Sequence, residues 1–156
     1  MQKFNMVNHS KRIELLGMKN WGFWLTMFFL MVLPAGILAE VGVEPRKIVL
    51  GTHQPLSGPM KNYAQIGRGA SIYFQYLNDQ GGIHGRQLFL LQRDDRFKPQ
   101  RTLKLVEELV MKDRVFALFS GIGTETSESA MSLLKSQGVP HFFIGSNARS
   151  ITEPPR

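Results

Sequence analysis

The stretch Ser120-Gly121-Ile122-Gly123-Thr124-Glu125-Thr126-Ser127 holds the densest grouping of residues able to receive a small anionic ligand. Its glycines let the backbone approach a ligand closely, and its hydroxyls can donate to one. The amphipathic segment that follows would aim free N–H groups and the positive end of a helix dipole at a carboxylate or phosphate. The same residues also read as a turn in which Thr124 or Thr126 caps a helix with no ligand involved. Tyr63, in a polar stretch ahead of another amphipathic segment, could cover a ligand with its ring or fold back onto its own helix.

Other chemistries find less support. Asp94-Asp95 stands where a dinucleotide-binding fold carries its ribose-holding acid. The turn after the first apolar run, however, reads THQPLSGPMKNYAQIGRG, without Gly-x-Gly-x-x-Gly, and no Gly-Lys-Ser or Gly-Lys-Thr occurs. An α/β enzyme using Asp94 or Asp95 is therefore the alternative from a different class. His9, His53, His84 and His141 lack the spacing that sets two imidazoles on one helix face. With 0 cysteines there is no disulfide, thiolate nucleophile or Cys-containing zinc site. Ser57-Gly58-Pro59 is not a Gly-x-Ser-x-Gly nucleophile turn. The expectation is a binding protein with no catalytic residue, no cofactor and no metal.

The elements that must position these loops follow from periodicity. Lys47–His53, Gln87–Arg93, Val115–Phe119 and His141–Ile144 are short apolar runs that predict strands. Between them, Ile66, Ala70, Tyr73, Phe74 and Leu77 recur at helical spacing, ended by Gly81-Gly82. Pro99 opens a second helix with Leu103, Val106, Leu109 and Val110 on its buried stripe, and Thr126–Gln137 makes a third through Ala130, Leu133 and Leu134. Phe74, Phe89, Phe116 and Phe119 read as core. Alternating strands and helices predict an α/β fold, a doubly wound parallel sheet with right-handed crossovers. Its ligand would sit at the carboxyl ends of the strands, after His53, Arg93, Phe119 and Ile144.

Charge and the amino terminus bound the function further. The net charge is +7, but Lys3, Lys11, Arg12 and Lys19 against Glu14 place +3 of it before residue 40. The remainder is too weak and dispersed for nucleic acid. Trp21–Leu33 is an uncharged apolar run between Lys19 and Pro34-Ala35-Gly36-Ile37-Leu38-Ala39. It has the parts of a secretory signal peptide and is shorter than the ~20 residues of a membrane span. Residues 1–39 are therefore read as a signal, with translation starting at Met18 as an option and cleavage after Ala39, so that the exported chain begins at Glu40. An uncleaved anchor is the competing reading. Residues 40–46 form a polar lead-in.

The blocks Pro55-Leu56-Ser57-Gly58-Pro59, Gly67-Arg68-Gly69-Ala70 and Leu77-Asn78-Asp79-Gln80-Gly81-Gly82-Ile83-His84-Gly85-Arg86 resemble the first lobe of the periplasmic leucine-binding-protein-like family. So do Asp94-Asp95, Val115–Phe119, Gly123-Thr124 and Gly138-Val139-Pro140. The resemblance runs from about Lys47 to Pro154 and implies a type I periplasmic binding protein. Residues 47–156 would form a partial N-terminal lobe ending near the crossover to a second.

It further implies a solute-binding component of an ABC transporter for amino acids, amides or related compounds. Its partners would be a small-molecule ligand and the permease and ATPase complex, with the membrane met only through the permease and a periplasmic location. By position, Thr124, with Gly123, would hold a ligand carboxylate. Gly145, Ser146 and Asn147 would supply a carbonyl for an ammonium group and complete the clamp, and Tyr63 would line the cleft. Asn147 stands where leucine-type members carry a hydroxyl. The loop through Glu125 and Thr126 is closer to amide- or urea-type branches. A sensor lobe feeding a receptor or kinase is the alternative among binding proteins.

Overall fold

The computed structural model describes residues 40–153. The segment read as a signal peptide, with the optional start at Met18 and the expected cleavage after Ala39, and His9 lie outside them. The chain runs β1 (Lys47–Gln54), a 3-10 turn (Lys61–Ala64), α1 (Gln65–Asp79), β2 (Gln87–Asp94), α2 (Pro99–Met111), β3 (Ala117–Phe119), α3 (Thr124–Gln137), β4 (His141–Phe142) and α4 (Arg149–Thr152). The sheet order is β2-β1-β3-β4, with every pairing parallel. This is the doubly wound α/β fold expected from the alternation of strands and helices.

Each face of the sheet is closed by its own apolar cluster. Leu50, Phe74 and Ala117 pack between the sheet and α1, while Val106, Leu109, Val110, Val115, Leu118, Ala130 and Leu134 join the other face to α2 and α3. Pro99 begins α2, where its missing N–H costs nothing. Gly138, left-handed at φ 66°, ends α3.

Several local expectations are corrected. The buried face of α1 runs through Gly67 and Phe74, in line with Ala64 at the end of the 3-10 turn, leaving Ile66 and Tyr73 exposed. Polar ties set this rotation. Gln92 Nε2 donates to Ser71 Oγ at 2.9 Å, and Asn78 exchanges hydrogen bonds with the backbone of Leu88 at 2.9 and 2.7 Å. On α2, Thr102 is buried and Leu103 is exposed, because Thr102 reaches Asp95. Phe89 is exposed on edge strand β2, since α2 packs over β1 rather than over β2.

The third and fourth strands are shorter than their apolar runs. Val115 N–H bonds back to Leu109 at the end of α2, so β3 begins at Ala117. Strand β4 stops at Phe142 because Phe143 turns to φ +57° and is 78% exposed, its ring 5.3 Å from that of Phe119. Helix α3 starts at Thr124, not Thr126. Its N-cap is Gly123 at φ 99°, and neither threonine caps it, because the Thr126 hydroxyl donates backwards to Ile122 O at 2.5 Å.

Candidate functional site

In an open parallel sheet the ligand crevice forms where neighbouring strands send their crossovers to opposite faces. Here that point lies between β1, followed by α1, and β3, followed by α3 on the other face. At its floor, Thr52 Oγ1 donates to Ser120 O at 3.1 Å and Gln54 Nε2 donates to the same carbonyl. Ser120 itself is left-handed at φ 59°, which turns the chain sharply out of β3.

The loops after β3 and β4 are joined side by side. Ile122 and Gly145 form a parallel bridge, with Gly145 N–H donating to Gly121 O at 2.7 Å and Gly123 N–H donating to Gly145 O at 3.2 Å. This clasp brings Thr124 Oγ1 to 2.7 Å from Ser146 Oγ, and Ser146 Oγ also accepts Ala148 N–H at 3.1 Å. Both hydroxyls are half-buried. Thr124 is the first residue of α3, whose opening N–H groups have no carbonyl four residues back within the helix. Phe97, Pro99, Thr124, Glu125 and Thr126 line an open cleft of about 300 Å³ beside it. The Phe97 ring packs on Gly123 where a Cβ would stand.

Of the residues singled out from sequence, Gly123, Thr124, Gly145 and Ser146 come together. The Gly123 N–H and the Gly145 carbonyl are already engaged with each other, so hydroxyls and helix N–H groups are the recognition atoms left at this point. Asn147 is exposed, and Tyr63 is exposed on the 3-10 turn rather than in an extended loop. Neither makes a side-chain hydrogen bond among the described residues.

Behind the loops lies a buried polar cluster that sequence reasoning did not assemble. Asp95 is fully buried and accepts hydrogen bonds from His53 Nδ1 at 2.9 Å, Thr102 Oγ1 at 3.1 Å and Phe97 N–H at 2.8 Å. The His53 ring stands 5.6 Å from that of His141 in an edge contact, and Gly121 is wedged against both imidazoles. Burial, with His53 alongside, pushes the His141 imidazole from 6.5 down to about 3. Asp94 faces the other way. Partial burial pushes its carboxyl up, but hydrogen bonds from the Ser57 hydroxyl and the Arg96, Ser57 and Leu56 N–H groups outweigh this and hold it below the usual value. The Ser57 Oγ to Asp94 Oδ2 distance is 2.6 Å. Ser57 and Asp94 both fall in the sequence blocks noted above, but nothing local signalled that they pair. Among the described residues no three His, Asp or Glu side chains gather as metal ligands.

Comparison with known proteins agrees with this fold. A Leu/Ile/Val-binding protein homolog 7 from Brucella suis biovar 1 is 26% identical over 120 residues, covering 76% of this chain and 30% of the relative. A substrate-binding periplasmic protein from Ralstonia solanacearum superposes with a TM-score of 0.64 at 32% identity, covering 69% of this chain and 31% of that one. An extracellular ligand-binding receptor from Verminephrobacter eiseniae gives a TM-score of 0.64 at 28% identity, covering 70% and 32%. The chain thus spans about a third of the length of the proteins it matches. The profile of the periplasmic binding protein family matches residues 47–155, in keeping with the doubly wound sheet, and the chain belongs to that family.

Proposed function

We propose that this chain supplies the first lobe of an extracytoplasmic solute-binding protein that delivers an amino acid or a small amide to an ABC permease and ATPase. The observation that carries the reading is the Thr124–Ser146 hydroxyl pair, 2.7 Å apart at the first turn of α3. Two hydroxyls and the unpaired helix N–H groups converge there on one small volume, a donor set suited to a carboxylate or an amide carbonyl. The relatives named for binding Leu, Ile and Val support an amino-acid ligand. Asn147, exposed beside Ser146, adds an amide able to donate and accept, which suits an amide-type solute as well. Tyr63 would close over the ligand from the β1 side. Asp94 and Asp95 are both committed to the scaffold by their hydrogen bonds, which supports binding over an enzyme built on them.

Titration calorimetry on the full-length protein with leucine, isoleucine, valine, acetamide and urea tests this reading. Thr124→Val keeps the shape and removes the hydroxyl, and should weaken the bound solute by about 1.5–3 kcal/mol, roughly ten- to a hundredfold in Kd. Unchanged affinity in Thr124→Val would place the ligand elsewhere.

A further inference from the structure

The loop from β2 into α2 holds an aromatic ring beside Thr124 in a backbone conformation that has to be enforced. Arg96 and Phe97 are both left-handed, at φ 52° and 58°, which residues with a side chain rarely adopt and keep only where their surroundings fix it. Hydrogen bonds fix it here. Arg96 N–H donates to Asp94 Oδ1 at 3.1 Å, Phe97 N–H to Asp95 Oδ1 at 2.8 Å and Lys98 N–H to Asp95 O at 3.0 Å, while Arg101 Nε donates to Asp94 O at 2.6 Å.

This loop delivers the Phe97 ring onto Gly123, the residue just before Thr124. A Cβ on Gly123 would stand 2.7 Å from ring atom Cε2 and 2.9 Å from Cζ, so the ring fills the place a side chain would take. The ring is nonetheless 37% exposed and lines the cleft of about 300 Å³ with Pro99, Thr124, Glu125 and Thr126. Thr126 spends its hydroxyl on the carbonyls of Ile122 and Gly123, and Glu125 is exposed, with its charge open to solvent. Phe97 and Pro99 are left as an apolar wall next to the Thr124 hydroxyl, and a small-molecule pocket combines such a wall with a few placed polar groups.

We infer that Phe97 is a specificity-determining residue of this site: its ring packs on the apolar part of a solute whose carboxylate Thr124 holds, so that affinity rises with the size of an aliphatic side chain. The inference rests on the Thr124 reading and adds the ligand's side chain to it.

Calorimetry on the full-length protein with alanine, valine, leucine and arginine tests it, with a melt of each variant alongside. In the natural protein affinity should rise from alanine to leucine. Phe97→Ala should flatten that series, weakening leucine about tenfold while alanine moves by less than about twofold. Phe97→Leu keeps an apolar contact on Gly123 without the ring and should weaken leucine by a smaller factor, which carries the test if Phe97→Ala does not fold. Thr124→Val should weaken all the amino acids together, and this separates the two readings. Alanine and leucine shifting equally in Phe97→Ala, or not at all because the rest of the protein covers the ring, would overturn the inference and leave the Thr124 reading standing. Tighter binding of arginine than of leucine would also overturn it, giving the cleft to a cation held by Glu125. Thr124→Val without effect on any of the four would remove the reading on which it rests.

Discussion

The carboxyl edge of the sheet carries two polar groupings built on opposite terms. In the first, Asp95 is sealed from solvent and both its oxygens are occupied, by Phe97 N–H on one side and by His53 and Thr102 on the other. In the second, Thr124 and Ser146 hold each other at 2.7 Å but remain half-open beside unpaired helix N–H groups. Gly121 is the hinge between them, lying against His53 and His141 while its carbonyl accepts Gly145 N–H. A polar group saturated inside the scaffold stabilises the fold. One left half-satisfied at the rim is available for a ligand.

The comparison breaks most visibly at Asp95. Asp95→Ala leaves His53 and Thr102 without their shared acceptor, and a urea titration should show a loss of about 3–5 kcal/mol. A much smaller loss would mean the cluster is not the support of these loops.

Acid should find the same weakness. His141 is held neutral in the native state, beside His53 and its partner Asp95, whereas the unfolded chain takes up the proton near its ordinary value of 6.5. The native value, about 3, lies below the unfolded one, so this contribution is complete above pH 6.5 and is lost as the pH falls toward 3. The slope should be about 1.4 kcal/mol per pH unit. Melts across this window should steepen in the natural protein and flatten in His141→Leu.

Gly121→Ala places a methyl group into both imidazoles and should cost about 1–3 kcal/mol of stability by overpacking. Because Gly121 anchors the Gly145 loop, solute affinity should fall with it.

The smallest effect separates neighbouring threonines. Thr126 is buried and donates only to the backbone of Ile122 and Gly123, so Thr126→Val should cost about 0.5–1.5 kcal/mol of stability and leave affinity unchanged. Thr124→Val should do the reverse, and equal behaviour in the two would erase the distinction between scaffold and rim.

The amino-acid order by itself determined the succession of strands and helices, because a buried strand and an amphipathic helix each print their own period. It also marked Gly123, Gly145 and Ser146 as loop residues, since they follow apolar runs that had to be strands, whereas Thr124, read with them, is the first residue of α3. The rotation of α1 escaped it. Ile66 and Tyr73 satisfy helical spacing as well as Gly67 and Phe74 do, and only the hydrogen bonds of Ser71 and Asn78 to β2 chose between the faces. Contact between Thr124 and Ser146, 22 residues apart, and between His53 and Asp95, 42 apart, was likewise decided by tertiary structure. Such pairs depend on strand order and register, which the backbone ladders of the whole sheet fix together and no local pattern encodes.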